Sequence, residues 1–512
     1  MLACTIFLSL WFWLASGAVV SYPRPAIYNK SAKYSLKVNG TYMYTVSYAG
    51  YDYVQLTMDQ GHATEFRIAV VQETSITSYN ISPKQLPIHA TTDGNELVFS
   101  LVDAHYLIVT INDVKEFVIL IDPPEVNPPS SSGSGIFNVL DYGADSTGGS
   151  VTSGIQQAMD AAAGSPGSTV YVPPGLYYIG NLLLRDKTSL YLAGGSVLRF
   201  TGNSSDYTTL FTKSGVGPGT WWIQTEFKSS NIKVFGRGTI DGNGYYSLNT
   251  HTFIADLLVP VDTTGFQFDG PLLRDGSFWT VTPIQCTNAS FKNLKILNRQ
   301  DVGQDDGIDV IESIDVTVTR AISIALDDSF STKTWPYDTG TTVPYPNPPQ
   351  PLSNVVFDDC LAWTVCYGYK IGQGVYTSQD SVIFKNSVVY NAAVGLGIDH
   401  RYGTSYVNNV IFDTIDVENL SGSNAGHATW LALFVESEGA GVGPISNVHV
   451  TNIRVRNEGM YNGILVGYNS SSMVSDVTFT DIYMLANTTP ATTLEQMKIL
   501  DISQTSGIVV LG

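Results

Sequence analysis

Between residues 354 and 481 one short phrase is written five times: Asn354-VVFDD, Ser381-VIFKN, Asn409-VIFDT, Asn447-VHVTN and Asp476-VTFTD. Each copy opens on a small polar residue and then alternates Val, Ile or Phe with polar positions. Alternation with period 2 marks a strand with one buried face. Looser copies precede these at Asn231-IKVF, Asn288-ASFKN and Ser313-IDVTV, and several neighbours lie 25 to 29 residues apart, with insertions in the wider gaps. That spacing suits one coil of a solenoid, whereas a propeller blade needs about 40 residues and four strands. A single coil cannot bury its inward Val, Ile and Phe side chains, so the coils must stack, with parallel strands about 4.8 Å apart. The chain is therefore expected to be all-β, with a right-handed parallel β-helix over residues 136–512.

Upstream the pattern changes. Residues 22–121 alternate in short runs such as YMYTVSY, EFRIAVV, ELVFSLV and EFVILID, separated by turn residues, which predicts a β-sandwich. Residues 122–135, DPPEVNPPSSSGSG, continue neither sheet nor helix and read as a linker. Gly154–Ala163 (GIQQAMDAAA) is the one convincing helical stretch, placed as an end cap for the coils. Residues 1–18, with LACTIFLSLWFWLASGA, have the apolar core and small-residue end of a secretory signal peptide but lack a basic start. A buried helix or a membrane anchor is the competing reading of that segment. Eight Asn-x-Ser/Thr sequons, at Asn29, Asn39, Asn80, Asn203, Asn288, Asn419, Asn469 and Asn487, suit an extracellular glycoprotein.

The 512-residue chain carries a formal charge of −19, which repels nucleic acid and acidic membrane surfaces. A polyanionic substrate would be repelled too, unless local cations opposed the field. Beyond the leader lie Cys286, Cys360 and Cys366, too few for a disulfide framework and at no zinc spacing. Pairing of Cys360 with Cys366 is left open. Neither metal nor cofactor is expected, and the chain is expected to be a secreted monomer.

The acidic residues cluster. Gln304-DDGID is followed by Leu326-DDSFSTKTW, and Asp306 precedes Asp327 by 21 residues, about one short coil, which stacks the two. Glycosidic hydrolysis needs one protonated acid and one carboxylate, and crowding like charges raises the pKa of one of them. Asp327 and Asp328 share a face only if a bend or bulge separates them, since neighbours on a strand point to opposite sides. Asp ladders at turns, Asx-turns and a calcium site are the rival readings of such a cluster.

These segments resemble glycoside hydrolase family 28, the polygalacturonases, whose motifs read Asn-Thr-Asp-Gly-x-Asp, Asp-Asp, Gly-His-Gly-x-x-Ile-Gly and Arg-Ile-Lys. The resemblance runs from about Gly135 to the end. It implies Asp327 as general acid, with Asp306 and Asp328 holding and activating water. Two motifs depart: Cys366-YGYKIG puts Tyr367 in place of His, and Gly397-Ile-Asp399 replaces Arg-Ile-Lys. In the family the Arg and Lys hold a galacturonate carboxylate, which Asp399 would repel unless His400 and Arg401 compensate by a shift in register. Family 49, the dextranases and isopullulanases, resembles the chain at Gly303-Gln304-x-Asp306-Gly307, has an N-terminal β-sandwich and lacks both missing elements. It implies a neutral α-glucan as substrate. Lys333, Trp335, Tyr367, Lys370, Asp399, His400 and Arg401 are the candidate sugar-binding residues, with Tyr337, Trp363, Tyr369 and Tyr402 as further aromatic surfaces. A polygalacturonase, a calcium-dependent pectate lyase and a carbohydrate-binding protein with a decayed site are the alternatives.

Overall fold

The leading residue of each repeat is a corner of the coil. Asn288, Asp315, Asn354, Ser381, Asn409, Asn447 and Asp476 all have φ between 52° and 59°, and the strand register stacks them one above another. Asn and Asp tolerate this left-handed region because their short polar side chains bond locally. A second column of corners, from Asn293 through Asp359 and Asn386 to Asp481, bends the same strands again. The third copy of the phrase is out of step with the sequence reading: its corner is Asp315, two residues past Ser313, because Asp315 is the residue level with Asn288. Side chains link the corners, Asn354 Nδ2 donating to Asp315 Oδ1 at 3.0 Å and Asn409 Nδ2 to Ser381 Oγ at 2.8 Å.

The computed structural model describes residues 18–335, 345–421 and 428–512. All but the last residue of the 1–18 segment, and Tyr337, lie outside them. Successive parallel crossovers wind residues from Ile136 onward into a right-handed β-helix. Inside it the Phe of each repeat stacks on the next: Phe357 to Phe384 at 4.9 Å, and Phe384 to Phe412 at 5.3 Å, with rings within 10° of parallel. Each fully buried Phe contributes roughly 1.5–3 kcal/mol relative to an exposed one. The helix Gly154–Ala162 turns Ile155, Ala158, Met159 and Ala162 into the same core and covers the first coil.

One face of the solenoid carries the clustered aspartates. It runs from Ile254–Val259, through bridges at Val281 and Ile284, to Ile308–Ile311, Phe330–Thr334, Tyr367–Val375, Val394–Tyr402 and Thr429–Val435. Ile308, Val310, Phe330, Tyr369, Ile371, Leu396 and Ile398 point inward to the core. Asp309, Ser331, Lys370 and Gly397 lie in register with one another and alternate outward.

The other compact unit comprises residues 18–21, 28–81 and 86–124. Two sheets enclose its core, one built on Asp52–Met58, Phe117–Asp122 and Tyr106–Ile111, the other on Tyr34–Val38, Thr64–Val70 and Glu96–Leu101. Strict alternation along Thr64–Val70 buries Phe66 and Ile68 while Glu65 and Arg67 stay partly exposed. Phe66 stacks on Phe99 at 5.4 Å. This is a β-sandwich.

Candidate active site

Two loops on adjacent coils meet at the outer face. Asp306 precedes Ile308–Ile311, and Asp327 and Asp328 precede Phe330–Thr334. The register pairs Ile308 with Phe330, and Gly307 N donates to the Asp328 carbonyl at 2.8 Å, so Asp306 is level with Asp328 rather than with Asp327. The approach needs glycine at 307: a Cβ there would lie 2.3 Å from the Ser329 carbonyl oxygen. Asp327 and Asp328 sit on a bend between strands, and both line one cavity of about 430 Å³ with Asp306. Asp305 faces the other way and is fully buried, its carboxylate accepting from Leu326 N at 2.8 Å. It ties one loop to the other.

Two buried lysines lie among the carboxylates. Lys333 Nζ is 2.8 Å from Asp306 Oδ2 and 3.7 Å from Asp328 Oδ2, and also contacts Asp309. It stands over the Trp279 ring at 4.8 Å. A shift of strand register between Thr332 and Thr334 falls at this residue. Lys370 Nζ is 3.0 Å from Asp328 Oδ2 and 3.9 Å from Asp399 Oδ2, and lies 4.4 Å over the Tyr367 ring.

The three aspartates are thereby driven apart in acidity. Burial raises Asp327 to about 7, with Asp306 and Asp328 adding repulsion that the lysines only partly offset. Burial also pushes on Asp328, but Lys370 and Lys333 outweigh it and hold that carboxyl below its ordinary value. Asp306 is raised by burial, with Lys333 opposing. One neutral acid and one ionised carboxylate a few ångströms apart are the two groups that general acid–base hydrolysis requires.

Of the other residues singled out by sequence, Lys333, Trp335 and Lys370 line the cavity. Tyr367 does not; its ring is buried against Lys370, and its hydroxyl has no hydrogen-bond partner among the described residues. Asp399 is fully buried and neutralised by Arg401, whose Nε lies 2.7 Å from Asp399 Oδ1, as well as by Lys370. Arg401 also pairs with Glu436 at 2.8 Å and Glu438 at 3.1 Å. His400 is fully buried with Nε2 2.7 Å from the Ser405 carbonyl, and so faces the fold rather than a ligand. Trp363 packs edge-on against Tyr390, and Tyr369 belongs to the core.

Sequence reasoning missed Lys213, Trp279, Gln373 and the part played by Asp309. Asp309 was legible as the last carboxylate of Gln304-DDGID. Lys213 and Trp279 come from earlier coils, outside every motif, and only the stacking brings them to the cavity.

Asp327, Asp328 and Cys366 each place one donor atom within 4.8 Å of the others. Burial holds the Cys366 thiol well above its ordinary pKa, and the two carboxylates add to this, so it stays protonated. A neutral thiol beside a lysine-paired carboxylate does not suit the all-oxygen shell that calcium takes. Cys286, Cys360 and Cys366 are all buried free thiols.

Comparison with known proteins agrees with this architecture. Exo-poly-alpha-D-galacturonosidase of Dickeya chrysanthemi is 33% identical over 121 residues, 22% of this chain and 20% of that protein. An exopolygalacturonase of Zea mays is 24% identical over 216 residues, 40% of this chain and 51% of that one. The chain thus spans about half, or less, of the length of these curated relatives. Among solved structures, the family 28 exopolygalacturonase of Yersinia enterocolitica superimposes with a TM-score of 0.54 at 15% identity, over 88% of this chain and 97% of its own. Dex49A from Penicillium minioluteum gives 0.57 at 12% identity, over 98% of both chains. At such identities the likeness is one of fold, and both families whose motifs the sequence resembles share it. Sequence carries the assignment further: the profile of the rhamnogalacturonase A/epimerase, pectate lyase-like family matches residues 136–419, more than half of the chain, and the protein belongs to that family.

Proposed function

We propose that the protein is a secreted glycosidase that hydrolyses O-glycosidic bonds of a polysaccharide by direct attack of water with inversion at the anomeric carbon, although Asp327 and Asp328 each place an oxygen within 4.8 Å of the other, closer than the roughly 6.5–9.5 Å usual for inverting pairs. The observation that carries this reading is the split within one cavity, with Asp327 held neutral and Asp328 held ionised by Lys370 and Lys333. In the reaction Asp327 gives its proton to the glycosidic oxygen as the bond to the anomeric carbon breaks. Asp328, assisted by Asp306, takes a proton from water as the water oxygen bonds to that carbon from the opposite face. Two hydroxyl ends result, and proton exchange with solvent returns both aspartates to their starting states. Trp335 and Tyr402, with ring centroids 5.3 Å apart, form an aromatic wall against which a sugar ring can lie.

The sequence argument against an acidic substrate rested on repulsion by Asp399. Lys370 and Arg401 remove that repulsion, so a polyuronide is as well supported as a neutral α-glucan. The test is Asp327→Asn, assayed for reducing ends on polygalacturonate, rhamnogalacturonan, dextran and pullulan, with the product anomer followed by NMR. Loss of nearly all turnover in a folded variant, and an inverted anomer from the parent protein, are expected. Undiminished turnover would remove Asp327 from the mechanism.

A further inference from the structure

The cavity holds three lysines, and two of them are committed to carboxylates. Lys333 is shared among Asp306, Asp309 and Asp328, and Lys370 is held by Asp328 with Asp399 beyond. Lys213 lines the same cavity and has no carboxylate within ion-pairing distance among the described residues. Its position is fixed. The strand Phe211–Lys213 pairs antiparallel with Gly217–Thr225, Lys213 opposite Gly217. Phe211, two residues earlier and hence on the same face of the strand, is buried with its ring 5.8 Å from that of Phe278, the neighbour of cavity-lining Trp279.

A half-buried ammonium without a paired carboxylate loses solvation and gains no compensating ion pair from the protein. Burial accordingly lowers the pKa of Lys213, while Asp306 pulls the other way. Such a cation is favourable once an anionic ligand arrives. Arg401 cannot take that role, since Asp399, Glu436 and Glu438 already engage it.

We infer that Lys213 is the specificity-determining cation of this site and pairs with the carboxylate of a uronic acid unit, so that the chain acts on a polyuronide rather than a neutral glucan. This supplies the local cation that a chain of charge −19 needs in order to accept a polyanion. It deepens the proposed hydrolase reading and rests on it for its biological meaning.

The experiment uses binding, so that it does not depend on turnover. Trigalacturonate and isomaltotriose are titrated calorimetrically into full-length Asp327→Asn and into Asp327→Asn combined with Lys213→Gln or Lys213→Arg. Trigalacturonate should bind the single variant at least about tenfold tighter, as one charge-assisted contact would provide. Lys213→Gln should erase that preference, and Lys213→Arg should keep most of it. The preference should shrink as salt rises, because the lysine is only half buried. Equal affinity for the two sugars, or a preference that survives Lys213→Gln, would overturn the inference. Turnover retained by Asp327→Asn would instead remove Asp327 from the mechanism, release of no reducing ends by the parent protein from any of the four polysaccharides would defeat the hydrolase reading, and the binding comparison would still decide the role of Lys213.

Discussion

Lys370 Nζ lies 3.0 Å from Asp328 Oδ2, one coil further along the solenoid, and both side chains are almost wholly buried. The pair is the reason Asp328 stays ionised beside two other carboxyls. Lys370→Met keeps the length and removes the charge, leaving Asp328 only the more distant Lys333 at 3.7 Å. As the base of the proposed reaction Asp328 works only when ionised, so activity should fall as pH drops through its pKa. Raising that pKa moves the acid limb of the kcat profile to higher pH. At pH 5 the variant should lose about a hundredfold in kcat or more. A stability loss of about 3–5 kcal/mol from the broken buried pair should accompany it. A purely structural lysine would lower activity without moving the limb.

In the proposed reaction Asp327 sets the other limb. Its carboxyl, raised to about 7 by burial and by Asp306 and Asp328, is a proton donor below that pH and not above it. The profile of kcat/KM should therefore bend near pH 7 and fall about tenfold per further unit. In Asp306→Asn one repelling charge is gone, so the alkaline limb should move to lower pH. That shift can be read from the residual activity.

Glu312 ties stability to pH. It is fully buried, accepts from Gln285 Nε2 at 2.9 Å and Gln350 N at 3.0 Å, and burial raises it to about 7 despite those bonds. A carboxyl whose folded pKa is raised contributes stability below its unfolded pKa and loses it as pH climbs through the folded value. Between about pH 4.5 and 7 the melting temperature should fall, with Asp359, raised from 3.8 to about 6 by burial, acting in the same direction over the lower part of that range. Glu312→Gln keeps an acceptor oxygen and cannot ionise. At pH 8 it should recover on the order of 2–3 kcal/mol, and at pH 4 it should be nearly neutral. Thermal melts at the two pH values check this.

The coils were legible because their periodicity is local. Val, Ile and Phe at alternate positions, each run opened by Asn, Ser or Asp, state both the buried face and the corner, and the Phe357–Phe384–Phe412 stack realises that pattern. The grouping of Asp306, Asp327 and Asp328 in one cavity was legible because the three flank two adjacent strands. The exact stacking was not: a 21-residue spacing paired Asp306 with Asp327, whereas the register runs one residue further and sets Asp306 level with Asp328. The surroundings were illegible for another reason. Lys213 and Trp279 reach the cavity from earlier coils, and no local pattern marks which outward side chain will meet a loop several coils away. Asp399 misled because its charge shows in the sequence, while the Lys370 and Arg401 that neutralise it are tertiary neighbours.

The corner column offers a test of the fold itself. Asn409 holds φ at 57° and donates to Ser381 Oγ of the preceding coil at 2.8 Å. Asn409→Ala keeps a Cβ in the left-handed region without the local polar contacts that make it tolerable, costing about 1–2 kcal/mol, and loses the inter-coil bond as well. Asn409→Gly loses the bond but relieves the backbone, since glycine adopts positive φ freely. The glycine variant should therefore be the more stable of the two in urea denaturation, the reverse of their order within an ordinary strand. Equal stabilities, or alanine above glycine, would show that the corner imposes no left-handed constraint and that the repeats are held by their Phe stack alone.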